Sequence, residues 1–200
     1  MERNTNDVTI AGVIATEFEF SHRLYEVNFY KFTLMLKRLS DKIDYIPVII
    51  SERLIDVNRN MVGQFIEIFG EFRSRNERVD DRSRLILNVF AKDIILIDEV
   101  DFCNNIILEG YICKKPNYRN TPLGKTICDM LVAVNAMRNT YYIPCIAWRE
   151  NAIKASEFEI GQKVSLKGRI QSRDYIKKID DDLFEWKIAY EVSIKELEVI

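Results

Sequence analysis

Histidine, proline, cysteine and glycine are all scarce in this 200-residue sequence, with one, four, four and seven copies. Each scarcity excludes something. So few Pro and Gly leave no low-complexity or linker-like stretch. The cysteines (Cys103, Cys113, Cys128, Cys145) lie in the second half without a CxxC pair, and the lone His22 lies in the first. Neither a zinc site nor a redox motif fits that pattern, and reduced structural thiols are expected. No apolar run approaches the roughly 20 residues of a membrane span. The opening "MERNTNDVTI" has the features of neither a signal nor a transit peptide, so a cytoplasmic location is expected. There is no phosphate-cradling Gly loop, metal-ligand cluster or conspicuous carboxylate pair. No catalytic residues, cofactor, metal or small-molecule substrate are therefore expected.

What is present is a duplication. "GQFIEIFGEFRSR" (Gly63 to Arg75) and "GQKVSLKGRIQSR" (Gly161 to Arg173) share five of thirteen positions at an offset of 98 residues. "VTIAG" ending at Gly12 pairs with "IILEG" ending at Gly110, and "DYIPV" (Asp44 to Val48) with "YYIPC" (Tyr141 to Cys145). A near-constant offset across three separated blocks implies two copies of one domain, at about 1–100 and 101–200. Each is large enough to bury its own core.

Apolar residues mostly follow period two, as in Ile66, Ile68 and Phe72, in Val164, Leu166 and Ile170, and in "LFEWKIAYEV" from Leu183 to Val192. The fold class is therefore all-β. Strands are expected up to Gly12 or Gly110, around Tyr25–Leu36 or Thr126–Val134, and through Tyr45–Ile50 or Tyr142–Ala147. A short helix follows, at "SERLIDVNRN" or "WRENAIKASEF", then the Gly-Gln strand and a final strand. Five strands with a helix between the third and fourth is the order of an OB-fold barrel, so two tandem OB folds are expected. Gly70 and Gly168 fall mid-strand, where barrel closure needs sharp bends. "DDDLF" (Asp180 to Phe184) reads as a hairpin loop.

The net charge of −2 hides an asymmetry. Val8 to Asp81 carries 10 Lys+Arg against 12 Asp+Glu, whereas Ile106 to Ile179 carries 13 against 6. The second copy is the candidate for phosphate binding.

In that copy "NIILEGYICKKPNYRNTPLGKTICDMLVAVN", "TYYIPCIAWRENA" and "IGQKVSLKGRIQSRDY" follow in order, and together they resemble the bacterial single-stranded DNA-binding protein family. Pro116, Arg119, Thr121 and Gly124 fill the family's turn, Ala133, Val134 and Asn135 its "AVN", and Trp148 the aromatic end of its third strand, which in the family precedes a glycine. The resemblance covers roughly 95 residues; the first copy keeps only the skeleton. It implies an OB fold that binds single-stranded DNA on stacking aromatics, with four OB folds brought together, here by a homodimer of two-fold chains. Replication, recombination or repair is the implied setting.

Tyr142, Trp148 and Tyr175 stand where the family places stacking aromatics. Lys163, Lys167 and Arg169 on the outward face of the Gly-Gln strand, with Lys114, Lys115, Arg119, Lys125, Arg149 and Arg173, supply cations for a phosphate backbone. Aromatics in strands also serve as core, and Trp186, which has no motif match, reads as core or subunit packing. In the first copy the stacking positions become Tyr45, Ser51 and Glu77, and the cations become Phe65, Phe69 and Glu71. That face suits a protein contact, so the first barrel is expected to be degenerate for DNA. The alternative is an OB-fold interaction scaffold, akin to primosome components related to this family. Relatives usually continue into a flexible tail with an acidic tip that recruits partners; this sequence reaches "KELEVI" straight from its last strand, and recruitment through such a tip is not expected of it.

Overall fold

The computed structural model describes residues 5–79, 82–99, 101–121, 124–136, 139–178 and 184–200; the "DDDLF" loop falls largely outside them. Twelve strands and one helix follow along the chain: β1 (Asn6–Ile14), β2 (Glu19–Leu24), β3 (Val27–Lys37), β4 (Ile43–Ser51), β5 (Phe65–Val79), β6 (Arg82–Ile97), β7 (Cys103–Ile112), β8 (Asn117–Asn120), β9 (Thr126–Asn135), β10 (Thr140–Trp148), α1 (Glu150–Ser156), β11 (Lys163–Lys178) and β12 (Phe184–Val199).

In the first half β1 pairs β3, β3 pairs β4, β4 runs parallel to β6, β6 pairs β5, and β5 returns to β1. The second half closes the same ring as β7-β9-β10-β12-β11-β7. Both are five-stranded OB barrels. Closure requires the long β5 and β11 to bend, and each carries its bulge at the glycine foreseen in the sequence, Phe69/Gly70 and Lys167/Gly168. A Cβ on either glycine would strike the carbonyl of Phe90 or of Ser193 on the neighbouring strand. Inside each barrel the period-two residues meet, among them Ile10, Leu34, Ile46, Ile68, Phe72 and Val89 in one and Leu108, Val132, Ile143, Leu166, Ile170 and Val192 in the other, all essentially inaccessible.

Two expectations need correction. Each half carries a sixth, short strand, β2 against β3 and β8 against β9; β8 lies in the stretch expected to be turn, and β2 in one for which no strand is expected. Only the second half has the helix. Its first-half counterpart, residues 52–62, forms turns, because Asp56 Oδ1 accepts from the Asn58 amide at 3.1 Å and Asn60 Oδ1 from the Val62 amide at 3.0 Å. Such local side-chain bonds compete with helical ones. "ENAIKAS" buries Ala152 and Ala155, and its local side-chain bond, Ser156 Oγ donating to the Ile153 carbonyl at 2.6 Å, falls in the last turn and takes no backbone amide from the helix.

The two barrels are joined edge to edge. β1 pairs antiparallel with β7 from Asn6↔Leu108 to Ala11↔Cys103, making one twelve-stranded sheet. Asn6 and Asn104, 98 residues apart, do the same work at the join. Each side-chain amide accepts from and donates to the backbone of one residue, Phe72 (2.9 and 2.8 Å) or Ile170 (2.9 and 2.7 Å), where the strand ladder would otherwise lose its partner.

Candidate nucleic-acid interface

Trp148 ends β10 at the barrel mouth, half-buried, with its indole Nε1 donating to Ser193 Oγ on β12 at 3.1 Å. The nitrogen edge of the ring is thereby fixed in place without the ring being sunk into the core. Arg149 follows with φ 52° and ψ −119° and then α1 begins. That is backbone for glycine, which the family has here; an arginine in it is strained, while its side chain stays exposed. Tyr142 lies six residues back along the same strand, about 20 Å away at strand rise, and is 41% exposed. Tyr175 is 36% exposed on the β11–β12 arm, opposite Lys187. The three aromatics are accessible but spread along a path rather than stacked on one another.

The turn between β8 and β9 shows why its residue types are needed. The Thr121 amide donates to the Lys125 carbonyl (2.8 Å), Thr121 Oγ1 accepts from the Lys125 amide (3.0 Å), and Gly124 has φ +74°. Lys114, Lys115 and Lys125 are exposed around this hairpin, and no acidic partner is seen for them among the described residues. Arg119 is different. It grips Asp129 on β9 (Nε–Oδ2 2.5 Å, Nη2–Oδ1 3.2 Å), which raises its pKa and occupies its charge with holding the hairpin.

Three of the candidate cations of β11 are also paired: Lys163 with Glu109 (3.5 Å), Lys167 with Glu196 (3.0 Å) and Arg173 with Glu191 (3.6 Å). Arg169 lines a cavity of about 630 Å³ between the halves and stands 4.0 Å from Asp44 of the first. Burial and the neighbouring Arg38 lower its pKa. The charge asymmetry read from the sequence stopped before the last strand, whose carboxylates face these cations. Counted from 101 to 200 the half holds 15 Lys+Arg against 14 Asp+Glu. Among the candidate cations, those for which the described residues show no acidic partner are thus Lys114, Lys115 and Lys125 around the β8–β9 hairpin, and Arg149.

Trp186, expected as core or subunit packing, is not core. It is 72% exposed on β12, opposite Ile176, and with Phe184 (58%) and Ile188 (44%) lies on one face of the β11–β12 arm, while Arg173, Tyr175 and Lys187 lie on the other. Period two along "LFEWKIAYEV" carried the signal, but nothing in it told that the arm projects past the barrel. The halves also meet at two related points. Ser74 Oγ accepts from the Tyr142 amide at 2.7 Å, and Ser172 Oγ from the Tyr45 amide at 3.4 Å. Phe65 and Phe69, which replace cations in the first copy, are half-buried on β5.

The thiols suit structure rather than chemistry. Burial pushes Cys128 up to about 11 and Cys145 higher still. Among the described residues no His, Cys, Asp or Glu group could hold a metal, and no helix is long and apolar enough to cross a membrane.

With this geometry in hand, residues 103–200 match the model of the "Single-strand binding protein family". Over 103 residues the chain is 31% identical to single-stranded DNA-binding protein 2 of Listeria innocua, covering 48% of this chain and 64% of that one. It is 29% identical over 103 residues to single-stranded DNA-binding protein A of Bacillus subtilis, with 48% and 59% covered. The chain spans less than two thirds of the length of these curated relatives. Among solved structures, the wild-type single-stranded DNA binding protein of Thermus aquaticus superposes on the whole chain (100% of this chain, 94% of that one) with a TM-score of 0.80 at 22% identity, a likeness of fold.

Proposed function

Since residues 103–200 belong to the single-strand binding protein family, we propose that the chain is a non-enzymatic, largely sequence-independent single-stranded DNA-binding protein serving replication, recombination or repair. One observation carries this reading: Trp148 is held edge-on by Ser193 at the mouth of the second barrel, beside the exposed Arg149 and within the half that bears the unpaired Lys114, Lys115 and Lys125. Stacking surface plus backbone-tracking cations is what sequence-tolerant single-strand binding requires. We assign the Trp148 site to a domain of residues 101–200, which is joined to a first OB-fold domain of residues 1–100. Titration with labelled oligo-dT at two salt concentrations tests the reading. Tight binding that weakens with salt is expected, and absence of binding would favour a protein-interaction scaffold.

Two chains of 23.6 kDa would supply four OB folds. The outward residues of β5, β1, β7 and β11 form one continuous sheet face, bearing Phe65, Phe69, Ile107 and Tyr111, that a second copy could cover. Light scattering should therefore return the mass of a homodimer; a monomer at micromolar concentration removes this part.

Arg149 separates stability from binding. Release of its positive-φ strain is worth about 1–3 kcal/mol, more than the roughly 0.5–1 kcal/mol of extra backbone entropy that glycine loses. Arg149→Gly should raise the urea midpoint, yet lower oligo-dT affinity and flatten its salt dependence. A variant both more stable and equally tight would show that Arg149 contacts no phosphate.

A further inference from the structure

The two barrels can be superimposed residue by residue through their parallel pairs. Ile49↔Phe90 in the first matches Ile146↔Ser193 in the second, given that Pro47 corresponds to Pro144. Trp148 and Ser193 of the second barrel therefore have Ser51 and Phe90 as counterparts. The aromatic ring has not been lost from this place in the first barrel; it has moved from the third barrel strand to the last one.

Phe90 is not alone there. Phe29 on β3 packs beside it (centroids 5.6 Å, 35° between planes), and His22 on β2 stacks on Phe29 nearly parallel (4.9 Å, 6°). The β2–β3 hairpin that carries His22 turns through Tyr25 and Glu26, both at positive φ (46° and 65°) as a two-residue loop requires. At the inner end Arg73 lies 3.6 Å over the Phe90 ring and 5.7 Å from that of Tyr141, across the join in the second barrel. The row Tyr141, Arg73, Phe90, Phe29, His22 thus runs from one barrel onto the other and ends in an exposed ring. Beside it opens a cavity of about 340 Å³ lined by Phe29, Ser51, Arg53, Phe90 and Lys92. Glu71 is held between Arg73 and Lys92, and a second acid, Glu52, lies near Arg53 and accepts from Asn28. Burial opposes the ionisation of Glu71, but the hydrogen bonds from Lys92 and Arg73 outweigh it. The cluster of Arg73, Lys92 and Arg53 with Glu71 and Glu52 is left with one excess positive charge.

Building on the proposed function, we propose that the first barrel carries its own single-strand nucleic-acid platform, on which bases stack against His22, Phe29 and Phe90 while Arg53 and Lys92 meet the backbone. The occupant follows from two features together: rings that remain partly exposed at the place where the second barrel holds Trp148, and flanking cations. The degeneracy expected of the first copy is then a change in which strand supplies the rings.

Stoichiometry distinguishes the possibilities. An oligo-dT of about eight nucleotides fits within one OB fold, whose site spans about 4–16 nucleotides. The full chain should bind two such oligomers and Phe29→Leu/Phe90→Leu one, with the remaining site unchanged in affinity. On an oligomer of about 30 nucleotides, long enough for both barrels, the same variant should weaken binding by about 5- to 150-fold for each base unstacked. Should the double variant melt early by circular dichroism, His22→Ala with Arg53→Ala, both at exposed positions, reads the same loss. Two short oligomers per variant chain and undiminished long-oligomer affinity would overturn the platform while leaving the second barrel's role intact. A wild-type chain that binds no oligo-dT would instead overturn the function on which it rests.

Discussion

Replacing Trp148, Tyr142 and Tyr175 together by alanine should weaken the remaining site of the Phe29→Leu/Phe90→Leu chain for oligo-dT by at least about 100-fold, since each stacked base is worth about 1–3 kcal/mol. The background matters because the first barrel would otherwise bind in its place. Tyr142 and Tyr175 are exposed enough that their removal leaves the core untouched. Trp148 is half-buried and gives up its bond to Ser193, so a thermal melt must accompany the titration. Tyr45→Ala is the control. Tyr45 is 45% exposed and meets the second half through its backbone amide, so the change should alter affinity by less than about twofold, a few tenths of a kcal/mol. A folded triple variant with full affinity would remove these aromatics from the interface.

The fold was legible because period two and a fixed repeat offset both survive in the residues that point inward. Ile66, Ile68 and Phe72 alternate since the barrel has one inside, and Gly70 and Gly168 stand out because the bulge tolerates no Cβ. The missing first-half helix was less legible, as "SERLIDVNRN" has helical apolar spacing and only the Asx bonds at Asp56 and Asn60 decide against it. Tyr142, Trp148 and Tyr175 could be named from the sequence, and the structure leaves each of them at least partly exposed. What could not be read was pairing across strands far apart in sequence. Lys167 looks like a free cation until Glu196 comes to lie beside it, and Phe90 looks like core until the register sets it opposite Ile49 with Phe29 and Arg73. Mapping the first copy position by position found Ser51 and Glu77 in place of two stacking aromatics, because it followed sequence offset and not the neighbours that strand pairing brings together.

The same divergence shapes the join between the barrels, and there the largest effect on stability is expected. Asp44 and Tyr141 are counterparts in the repeat, and each sits where β4 or β10 meets the other half's long hairpin. Tyr141 lies under Arg73. Asp44 is completely buried and accepts from Arg38 Nε at 2.6 Å, Arg38 Nη2 at 2.5 Å, the Ser172 amide at 2.6 Å and Ser172 Oγ at 3.1 Å, while Arg38 also donates to the Ser172 carbonyl at 3.0 Å. The hydrogen bond to Asp44 raises the Arg38 pKa. A buried pair such as this is a weak stabiliser as a whole but strongly destabilising when halved, because the survivor keeps its desolvation penalty without its partner. Arg38→Ala should therefore lower unfolding free energy by about 3–5 kcal/mol, read as a fall in the urea midpoint. Arg169, at 4.0 Å, is too far for a hydrogen bond and replaces little of what is lost. Arg38→Leu with Asp44→Leu removes both charges and should cost clearly less than the two single changes added together, the coupling that a double-mutant cycle isolates. Because the β1–β7 ladder is untouched, the barrels should remain joined, with the effect falling on the anchor of the β11–β12 arm and on Tyr175 beyond it. Additive single effects, or an Arg38→Ala midpoint equal to wild type, would mean that Asp44 is not held by this pair in solution.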